Sequence, residues 1–460
     1  MGRSGRDQPR GLERALLARA PLWLLCLLLM VGIVAAVAFG AIVKGVAEHS
    51  TRYGWIGRLA YDVASTPQTL RQLVRSQNPA LAPGSRARLP AGFRLNAAQP
   101  FRDPGFLLVN RYAPEDRRFV VELVRLADGK TLHRYAPPID TLIGRGDVDS
   151  PLFDAHLHSG QRYRMQHPLL MPDGGLVFHG TETPLVRVDA CGRVLWKVRG
   201  IFHHSIDPDA RGDIWVGFTA DRTRYPRTTD QFREDGIARV SPDGRLLYAK
   251  SLIAILAENH LSGLWAARPY TDDPFHLNDI QPVLADGPYW KRGDVLLSLR
   301  HLSLVMLYRP STGKVLWRRQ HAWFNQHDVD IVGPQTISIF DNHVRTGRPG
   351  IFPDWVEGHN QVVYADLGTG AIKTPYNDAL RKRDVRTIYE GRGTPLPNGD
   401  LFVEESNYGR LLRLAPDGTI RWRYISADGQ GRRYTMAWSR YLDPSRFSSA
   451  IGNAIAARCS

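Results

Sequence analysis

Three short segments of the sequence place a histidine at the start of a predicted β-strand. They are HHSID (His203–Asp207), FHLNDI (Phe275–Ile280) and WFNQHDVD (Trp323–Asp330). A histidine ring can form structural hydrogen bonds, bind a metal, carry a proton or act as a nucleophile. One such histidine alone is most often structural. Several that converge on one place indicate a functional site, because polar groups gathered without partners are destabilising.

An arginine and an amide accompany these histidines. Arg300 follows a strand in the same unit as His276, and its planar guanidinium can bind two oxygens of a sulfate or phosphate ester. A nearby cation also keeps an imidazole neutral, and only the neutral ring has a lone pair for attack. Asn278 can add a neutral hydrogen-bond donor, and a second histidine can protonate the leaving oxygen. These residue types predict the transfer of an anionic group, either sulfuryl or phosphoryl.

Other ligand classes are not predicted. The histidines lack the HxH and HExxH spacings of compact metal sites, so we expect no metal and no cofactor. The net charge of +15 comes mainly from arginines scattered along the chain. Because no basic stripe with interleaved aromatic residues accompanies this charge, nucleic acid is not a predicted partner.

A repeated hairpin pattern predicts the elements that position these residues. Two short apolar runs flank a turn glycine, which tolerates the positive φ of a tight turn. The pattern occurs six times, with glycines at Gly129, Gly192, Gly244, Gly313, Gly370 and Gly418. Units too small to bury their own faces pack radially, so we predict an all-β, six-bladed β-propeller. A β-sandwich followed by a second β domain is the alternative.

Strand direction predicts where the functional side chains meet. The start of an innermost strand and the end of its antiparallel partner lie on the same face of a propeller. The starts carry His167, His204, His276 and His327, and the returning ends carry Arg300, Asn342 and either Glu404 or Glu405. We therefore expect these side chains at one end of the central channel. His203 and His204 point to opposite faces of their strand, so only one of them can face the channel.

The N-terminal part of the chain predicts a membrane anchor. Residues 21–43 carry no charge and are long enough to span a bilayer, and five arginines precede them. We predict a cytoplasmic tail (1–20), a transmembrane anchor (21–43), a membrane-proximal linker with a short helix in Tyr61–Val74 (44–105), and a catalytic propeller (106–460). The propeller would then lie in the periplasm or outside the cell, tethered to the inner membrane. A cleaved signal sequence is the alternative.

The three cysteines leave one pairing open. Cys26 lies inside the predicted anchor, which leaves Cys191 and Cys459 as the only possible pair in an oxidising compartment. Whether the two meet cannot be read from their positions in the sequence.

Several segments resemble a known family. The match runs from about Phe106 to Tyr441, and its motifs are HLNDI, DVLLSLRHLSLVMLYRPSTGKVLWRR, NQHDVDI, ISIFDNH and TPLPNGDLFVEESNYGRLLRLAPDGTIRWRY. In these runs the chain resembles the bacterial arylsulfotransferases, the aryl sulfate sulfotransferases that do not use 3′-phosphoadenylylsulfate (PAPS). The resemblance implies a six-bladed propeller and a ping-pong reaction through a sulfated histidine. An aryl sulfate would be the donor and a phenolic or glycan hydroxyl the acceptor.

The resemblance also implies roles for single residues. It implies that His327 of NQHD is the nucleophile and that the sulfuryl oxygens are bound by His276, Asn278 and Arg300. His204, or its neighbour His203, would assist proton transfer, and Glu404 or Glu405 would match an acidic residue near the last blade. Well-known members are soluble periplasmic homodimers with an N-terminal β domain. This chain has a predicted anchor and linker instead, so a homodimer is possible but not required.

Two other classes of protein remain open at this stage. YRPSTGKVLWRR resembles the docking motif of quinoprotein dehydrogenases, which would imply pyrroloquinoline quinone, eight blades and a calcium site. A non-catalytic, membrane-tethered propeller that binds a glycan or a protein partner is the other alternative.

Overall fold

The computed structural model describes residues 21–47, residues 53–66 apart from 58, 62 and 65, residue 82, and residues 90–459 apart from 99–100, 145–146, 154–157, 221–222, 224 and 348–352. The predicted cytoplasmic tail (1–20) and most of the predicted short helix in Tyr61–Val74 lie outside these residues. The chain divides into two compact units, residues 1–79 and 80–460.

The first unit contains one long apolar helix, α1 (Leu22–Ala47). Its stretch Leu22–Val46 has a mean hydropathy of 2.8 and no side chains buried within the protein. Length and composition suffice for crossing a membrane, and a signal sequence would have the same properties.

The second unit consists mainly of antiparallel β-structure. Its strands in the described residues are β1 (Gly92–Leu95), β2 (Phe106–Ala113), β3 (Arg118–Arg125), β4 (Lys130–Tyr135), β5 (Gln166–Leu170), β6 (Leu176–His179), β7 (Thr183–Val188), β8 (Val194–Pro208), β9 (Ile214–Thr219), β10 (Asp235–Val240), β11 (Leu246–Ser251), β12 (Leu277–Pro282), β13 (Val295–Leu299), β14 (Leu304–Arg309), β15 (Lys314–Gln320), β16 (His327–Ile331), β17 (Thr336–Asp341), β18 (Val344–Arg345), β19 (Trp355–Val356), β20 (Gln361–Asp366), β21 (Ile372–Lys373), β22 (Arg392–Pro395), β23 (Leu401–Glu405), β24 (Arg410–Leu414), β25 (Ile420–Ile425) and β26 (Arg440–Leu442). Short helices interrupt them: α2 (Ile139–Leu142), α3 (Leu252–Glu258), α4 (Gly263–Ala266), α5 (Asn377–Lys382) and α6 (Pro444–Ala456).

The strands form a propeller-like arrangement in which four sheets have the form of separate blades. Their strand orders are β26-β2-β3-β4, β12-β13-β14-β15, β16-β17-β20-β21 and β1-β25-β24-β23-β22. A fifth sheet has seven strands, in the order β5 to β11, and β18 pairs with β19 at the surface. Six separate blades are therefore not seen in the described residues, because the long strand β8 pairs with β7 through its first part and with β9 through its last part.

Apolar clusters hold the sheets to one another. One cluster joins Trp215 of the seven-stranded sheet to Leu297 of β13, and the next joins Leu307 of β14 to Ile339 of β17. Further clusters join β17 to β23, β24 to β2, and β2 to β6, so the sheets close into a ring. Burial of these side chains, each about 1.5–3 kcal/mol when complete, stabilises the contacts between sheets.

The turn chemistry predicted from the sequence is confirmed. All six turn glycines have left-handed φ values: Gly129 (71°), Gly192 (81°), Gly244 (88°), Gly313 (69°), Gly370 (71°) and Gly418 (80°). Gly418 shows why glycine is required, since a Cβ there would also lie 3.1 Å from the backbone of Ala379.

The two ends of the propeller unit differ from the prediction. The stretch 44–105 is not linker alone, because β1 lies within it and pairs with β25 at the outer edge of a blade. After β26 the chain forms α6, a helix that the strand-dominated reading of 106–460 lacks. A disulfide between Cys191 and Cys459 then ties the C-terminal end to the turn before β8, which settles the pairing that the sequence left open.

Candidate active site

Three histidines have neighbouring rings: His167 and His276 lie where innermost strands begin, and His204 lies inside β8, where its pairing passes from β7 to β9. His167, His204 and His276 all adopt left-handed φ values of 46°, 56° and 50°. The ring centre of His204 lies 6.2 Å from that of His167 and 4.9 Å from that of His276. An unusual backbone conformation of this kind is costly for residues other than glycine, so its repetition marks a position that the fold holds for these rings.

His327 begins β16 and has a fixed orientation. Its Nδ1 lies 2.7 Å from Oδ1 of Asn342, whose Nδ2 donates to the carbonyl oxygens of Thr387 (3.2 Å) and Glu390 (2.8 Å). The amide oxygen can only accept, so Nδ1 of His327 carries the hydrogen. In the neutral ring the lone pair is then on Nε2, and this atom has no hydrogen-bond partner among the described residues.

The surroundings of His327 keep its ring neutral. The side chain is 1% exposed, and this burial, followed by the charge of Arg300, holds its pKa well below 6.5. The hydrogen bond to Asn342 acts in the opposite direction but does not offset them. The rings of His276 and His301 also contribute to the lowered pKa, which places His327 in the same cluster.

Arg300 supplies a buried positive charge that forms no ion pair with the residues that the structure describes, although Asp354 and Asp273 act on it electrostatically. It lies in a short 3₁₀ turn after β13, where its N–H donates to the carbonyl oxygen of His276 at 3.0 Å. The residue is 6% exposed, and its Nη2 is buried with no hydrogen-bond partner. Its guanidinium carbon lies 5.3 Å from the centre of the Tyr389 ring, and the Tyr389 hydroxyl donates to Asp354 at 3.2 Å. Burial lowers the pKa of Arg300, yet a guanidinium stays charged, so the site favours an anion.

Asp273 fixes two further rings beside Arg300. Its Oδ2 accepts from Nδ1 of His276 at 2.6 Å, and its carbonyl oxygen accepts from Nδ1 of His301 at 2.7 Å. Burial would raise the pKa of Asp273, but the charge and hydrogen bond of His276 hold it below its usual range, so the carboxylate is ionised. Burial, and then the neighbouring His276, lower the pKa of His301 to about 4.

Asp273, His276 and His301 are residue types that bind metals, and in the described part of the chain they form a cluster. One potential ligand atom from each lies within 4.8 Å of the others. The short Asp273–His276 contact is a hydrogen bond, and His301 already donates to a backbone carbonyl. These hydrogen bonds account for the arrangement, and we assign no metal to it.

His203 and His204 are neighbours in the second half of β8, and His204 faces the histidine cluster. The expectation that the two rings point to opposite faces is wrong, because the left-handed φ of His204 breaks the strand alternation: Nδ1 of His203 lies 2.9 Å from Nδ1 of His204. The ring of His203 also contacts Gly217, and its Nε2 is 3.3 Å from Oδ1 of Asp235. Burial, followed by the neighbouring rings of His276 and His203, holds the pKa of His204 well below 6.5. His204 is therefore a neutral ring that meets the site.

Comparison with known proteins identifies the family. Residues 167–427, which include the histidine cluster and Arg300, match the family model described as arylsulfotransferase (ASST). The chain belongs to the arylsulfotransferase family. No curated protein matches the sequence of this arylsulfotransferase family member.

Solved structures with a similar chain course share little sequence with this family member. A protein of unknown function from Bacteroides caccae is 13% identical, with a TM-score of 0.46 and coverage of 74% of this chain and 99% of the other. TolB from Acinetobacter baumannii is 14% identical, with a TM-score of 0.42 and coverage of 75% and 68%. Selenomethionine-substituted virginiamycin B lyase from Staphylococcus aureus is 12% identical, with a TM-score of 0.37 and coverage of 79% and 97%.

Three residues that the sequence suggests for substrate binding in this arylsulfotransferase are engaged with the protein itself. Asn278 is fully buried and donates to the carbonyl oxygen of Gln326 at 2.6 Å, so it holds the residue before His327. Glu404 accepts from the N–H groups of Trp438 (2.9 Å) and Ser439 (2.5 Å) and from Ser406 Oγ (2.6 Å). Glu405 pairs with Arg410 and accepts from the N–H of Arg386. The expectation that either glutamate contacts substrate finds no support in these contacts.

The structure also brings in residues that sequence reasoning did not assign to the site. Asp273 and His301 contact the predicted residues from positions close by in the chain, and Tyr389 does so from a distant segment. Asn342, noted only as lying at a strand end, fixes the tautomer of His327. The one available signal was local: Asp273 precedes His276 by three residues, within the same strand entry.

Proposed function

We propose that this protein transfers a sulfuryl group from an aryl sulfate to a hydroxyl acceptor, phenolic or glycan, in a ping-pong reaction that does not use PAPS. The observation that carries the proposal is that His327 lies within the electrostatic influence of Arg300. A buried, neutral imidazole with a free Nε2 is a nucleophile, and an unpartnered buried guanidinium is a binding group for the oxygens of the transferring group.

In the first half-reaction, Nε2 of His327 attacks the sulfur of the aryl sulfate. The bond between sulfur and the aryl oxygen breaks, and the phenolate leaves with a proton from His204. Arg300 and His276 hold the sulfuryl oxygens, and the product is sulfated His327. In the second half-reaction the acceptor oxygen attacks the sulfur, gives its proton to His204 and releases His327. Fixed donors that face the developing charge stabilise the transition state without reorganisation.

The supporting residues have positioning roles in this proposal. Asp273 accepts from Nδ1 of His276, so Nε2 is the atom of His276 that is left for the substrate. Asn342 does the same for His327 through an amide oxygen. Asn278 fixes the backbone entry to β16. Supporting contacts of this kind commonly change activity by about 10- to 100-fold when they are removed.

We further propose six blades and a membrane anchor. The seven-stranded sheet supports two blades that share β8. The strands β5–β7 join the first part of β8 through β7, and β9–β11 join its last part through β9. The 26-residue helix α1 would extend about 39 Å, enough to span a bilayer. The arginines before it favour residues 1–20 in the cytoplasm and the propeller in the periplasm or outside the cell.

The test of the proposed function is acceptor-dependent release of p-nitrophenol from p-nitrophenyl sulfate by the full-length protein. Sulfuryl transfer predicts release that rises with added phenol, formation of phenyl sulfate, and loss of both in His327→Ala. Activity that requires added pyrroloquinoline quinone, or a His327→Ala variant as active as wild type, would contradict the proposal.

A further inference from the structure

A second line of polar side chains adjoins the site and is not used by the nucleophile: the rings of His203 and His204 are hydrogen-bonded, and His203 lies at ion-pair distance from Asp235 with no hydrogen bond to it. Nδ1 of His203 lies 2.9 Å from Nδ1 of His204, and Nε2 of His203 lies 3.3 Å from Oδ1 of Asp235. Asp235 is held in place because it accepts from Thr219 Oγ1 at 3.0 Å and from the N–H of Leu277 at 2.9 Å. The line therefore runs from a buried carboxylate to a ring of the cluster.

The 2.9 Å contact between the two rings requires one shared hydrogen. Two lone pairs, or two N–H groups, would repel each other at this distance, so one Nδ1 donates and the other accepts. The position of that hydrogen decides what His204 offers to the site. If His203 holds it, the one N–H hydrogen of the neutral His204 ring is on Nε2, and Nε2 can act as an acid. If His204 holds it on Nδ1, Nε2 is a lone pair and is a base.

We propose that Asp235, His203 and His204 form a proton relay that makes His204 the acid of the first half-reaction and the base of the second. The relay rests on the sulfuryl transfer proposed above. His204 touches the substrate and is the catalytic residue of the three, whereas His203 and Asp235 act through it.

The proton count balances over the two half-reactions. Before reaction, His203 carries hydrogens on both nitrogens, and its positive charge faces the Asp235 carboxylate. The departing phenolate takes the hydrogen from Nε2 of His204, while His204 takes the shared hydrogen from His203 onto Nδ1. When the acceptor hydroxyl attacks, its proton goes to Nε2 of His204, and the shared hydrogen returns to His203. No proton is lost or gained over the full cycle.

Burial and surroundings agree with this division of charge. His204 is neutral in both states, as its lowered pKa requires, and the relay places the positive charge on His203, whose Nε2 lies 3.3 Å from the Asp235 carboxylate. The rings of His276, His167 and His327 also act on His204, and His179 donates to its carbonyl oxygen. None of these can take the place of Asp235 as a counter-charge.

The relay makes a prediction that a structural role does not share. Transfer from phenyl sulfate, whose phenolate is a strong base, needs the acid more than transfer from p-nitrophenyl sulfate does. In His203→Gln, which keeps hydrogen bonding but cannot pass a proton, we expect the ratio of the first-half-reaction rates, p-nitrophenyl over phenyl donor, to rise about tenfold or more. Asp235→Asn should shift the ratio in the same direction. Both donors are measured on one protein sample, so an unfolded fraction cancels in the ratio.

His179→Gln provides the matched control. His179 contacts the backbone of His204 at 2.7 Å but lies outside the relay, so its loss should lower both rates by the same factor. A His203→Gln ratio equal to the wild-type ratio would overturn the relay while leaving sulfuryl transfer intact. An absence of transfer from both donors in the wild-type protein would instead overturn the proposed function.

Discussion

His327 and Asn342 form a hydrogen bond of 2.7 Å in which the ring donates and the amide oxygen accepts. A carboxylate in the place of Asn342 would stabilise a positively charged ring. The amide fixes the tautomer with no such charge, so the lone pair of Nε2 remains available. Asn342 thus prepares a nucleophile that burial and Arg300 keep neutral.

Replacing Asn342 by leucine should slow sulfation of His327. The variant loses the hydrogen bond that orients the ring and leaves the carbonyl oxygen of Glu390 without the donor that Asn342 supplies, whereas that of Thr387 still accepts from Asn360. We expect a fall of about 10- to 100-fold in the rate of His327 sulfation per folded molecule, measured by rapid quench with p-nitrophenyl sulfate.

Asn360 offers the control for this change. It is also a buried asparagine, and it donates to Thr387 O (3.0 Å) and to Asn342 O (2.7 Å) without touching His327. Asn360→Leu should lower stability comparably and the sulfation rate much less. Equal losses of rate in the two variants would show that Asn342 acts only through stability.

Replacing Arg300 by lysine should lower turnover with the fold intact. An ammonium is a point charge and cannot bind two sulfuryl oxygens as a planar guanidinium does, so we expect about a 100-fold loss of kcat/KM. Arg345→Lys is a matched control, since its guanidinium also lies over an aromatic ring, Phe324, but pairs with Glu357. Rates like those of wild type in Arg300→Lys would remove Arg300 from the site.

The pH dependence of the first half-reaction should reflect the lowered pKa of His327. An ordinary histidine with a pKa of 6.5 is mostly protonated at one pH unit below that value. A nucleophile of that kind would lose about tenfold in rate there. Because the pKa of His327 is lowered, its protonation begins at a lower pH than that of an ordinary histidine, so the sulfation rate with p-nitrophenyl sulfate should stay level as the pH falls from neutral through 6.5. Stopped-flow measurement of the first turnover checks this, and a decline centred near 6.5 would contradict it.

The sequence predicts the parts of this fold that depend on local chemistry. Turn glycines at hairpins need positive φ, and all six have it. The histidines were predicted at strand starts. His204 and His276 meet because the innermost strands of successive blades run in the same direction, so that equivalent positions lie at the same end of the propeller. The seven-stranded sheet could not be predicted in this way. Its long strand β8 forms because two groups of strands pair with different parts of it, and the composition of β8 does not specify that pairing.

The hydrogen bonds that prepare the site could not be read from the sequence. Asn342 acts through Thr387 and Glu390, which lie 45 and 48 residues further along the chain, and Tyr389 reaches Arg300 from the same distant segment. Glu404 shows the opposite case: a carboxylate at a strand end near the channel is fully occupied by backbone N–H groups and a hydroxyl. Such partnerships depend on packing between blades, which residue type and spacing do not specify.

The most direct test of the account is to locate the covalent intermediate. The full-length protein is incubated with p-nitrophenyl sulfate alone, quenched at neutral or alkaline pH, digested and analysed by mass spectrometry. The account predicts one added sulfuryl group on His327, absent in His327→Ala and formed more slowly in Arg300→Lys. A sulfuryl group on another residue, or none while p-nitrophenol is released in amounts equal to the enzyme, would contradict it.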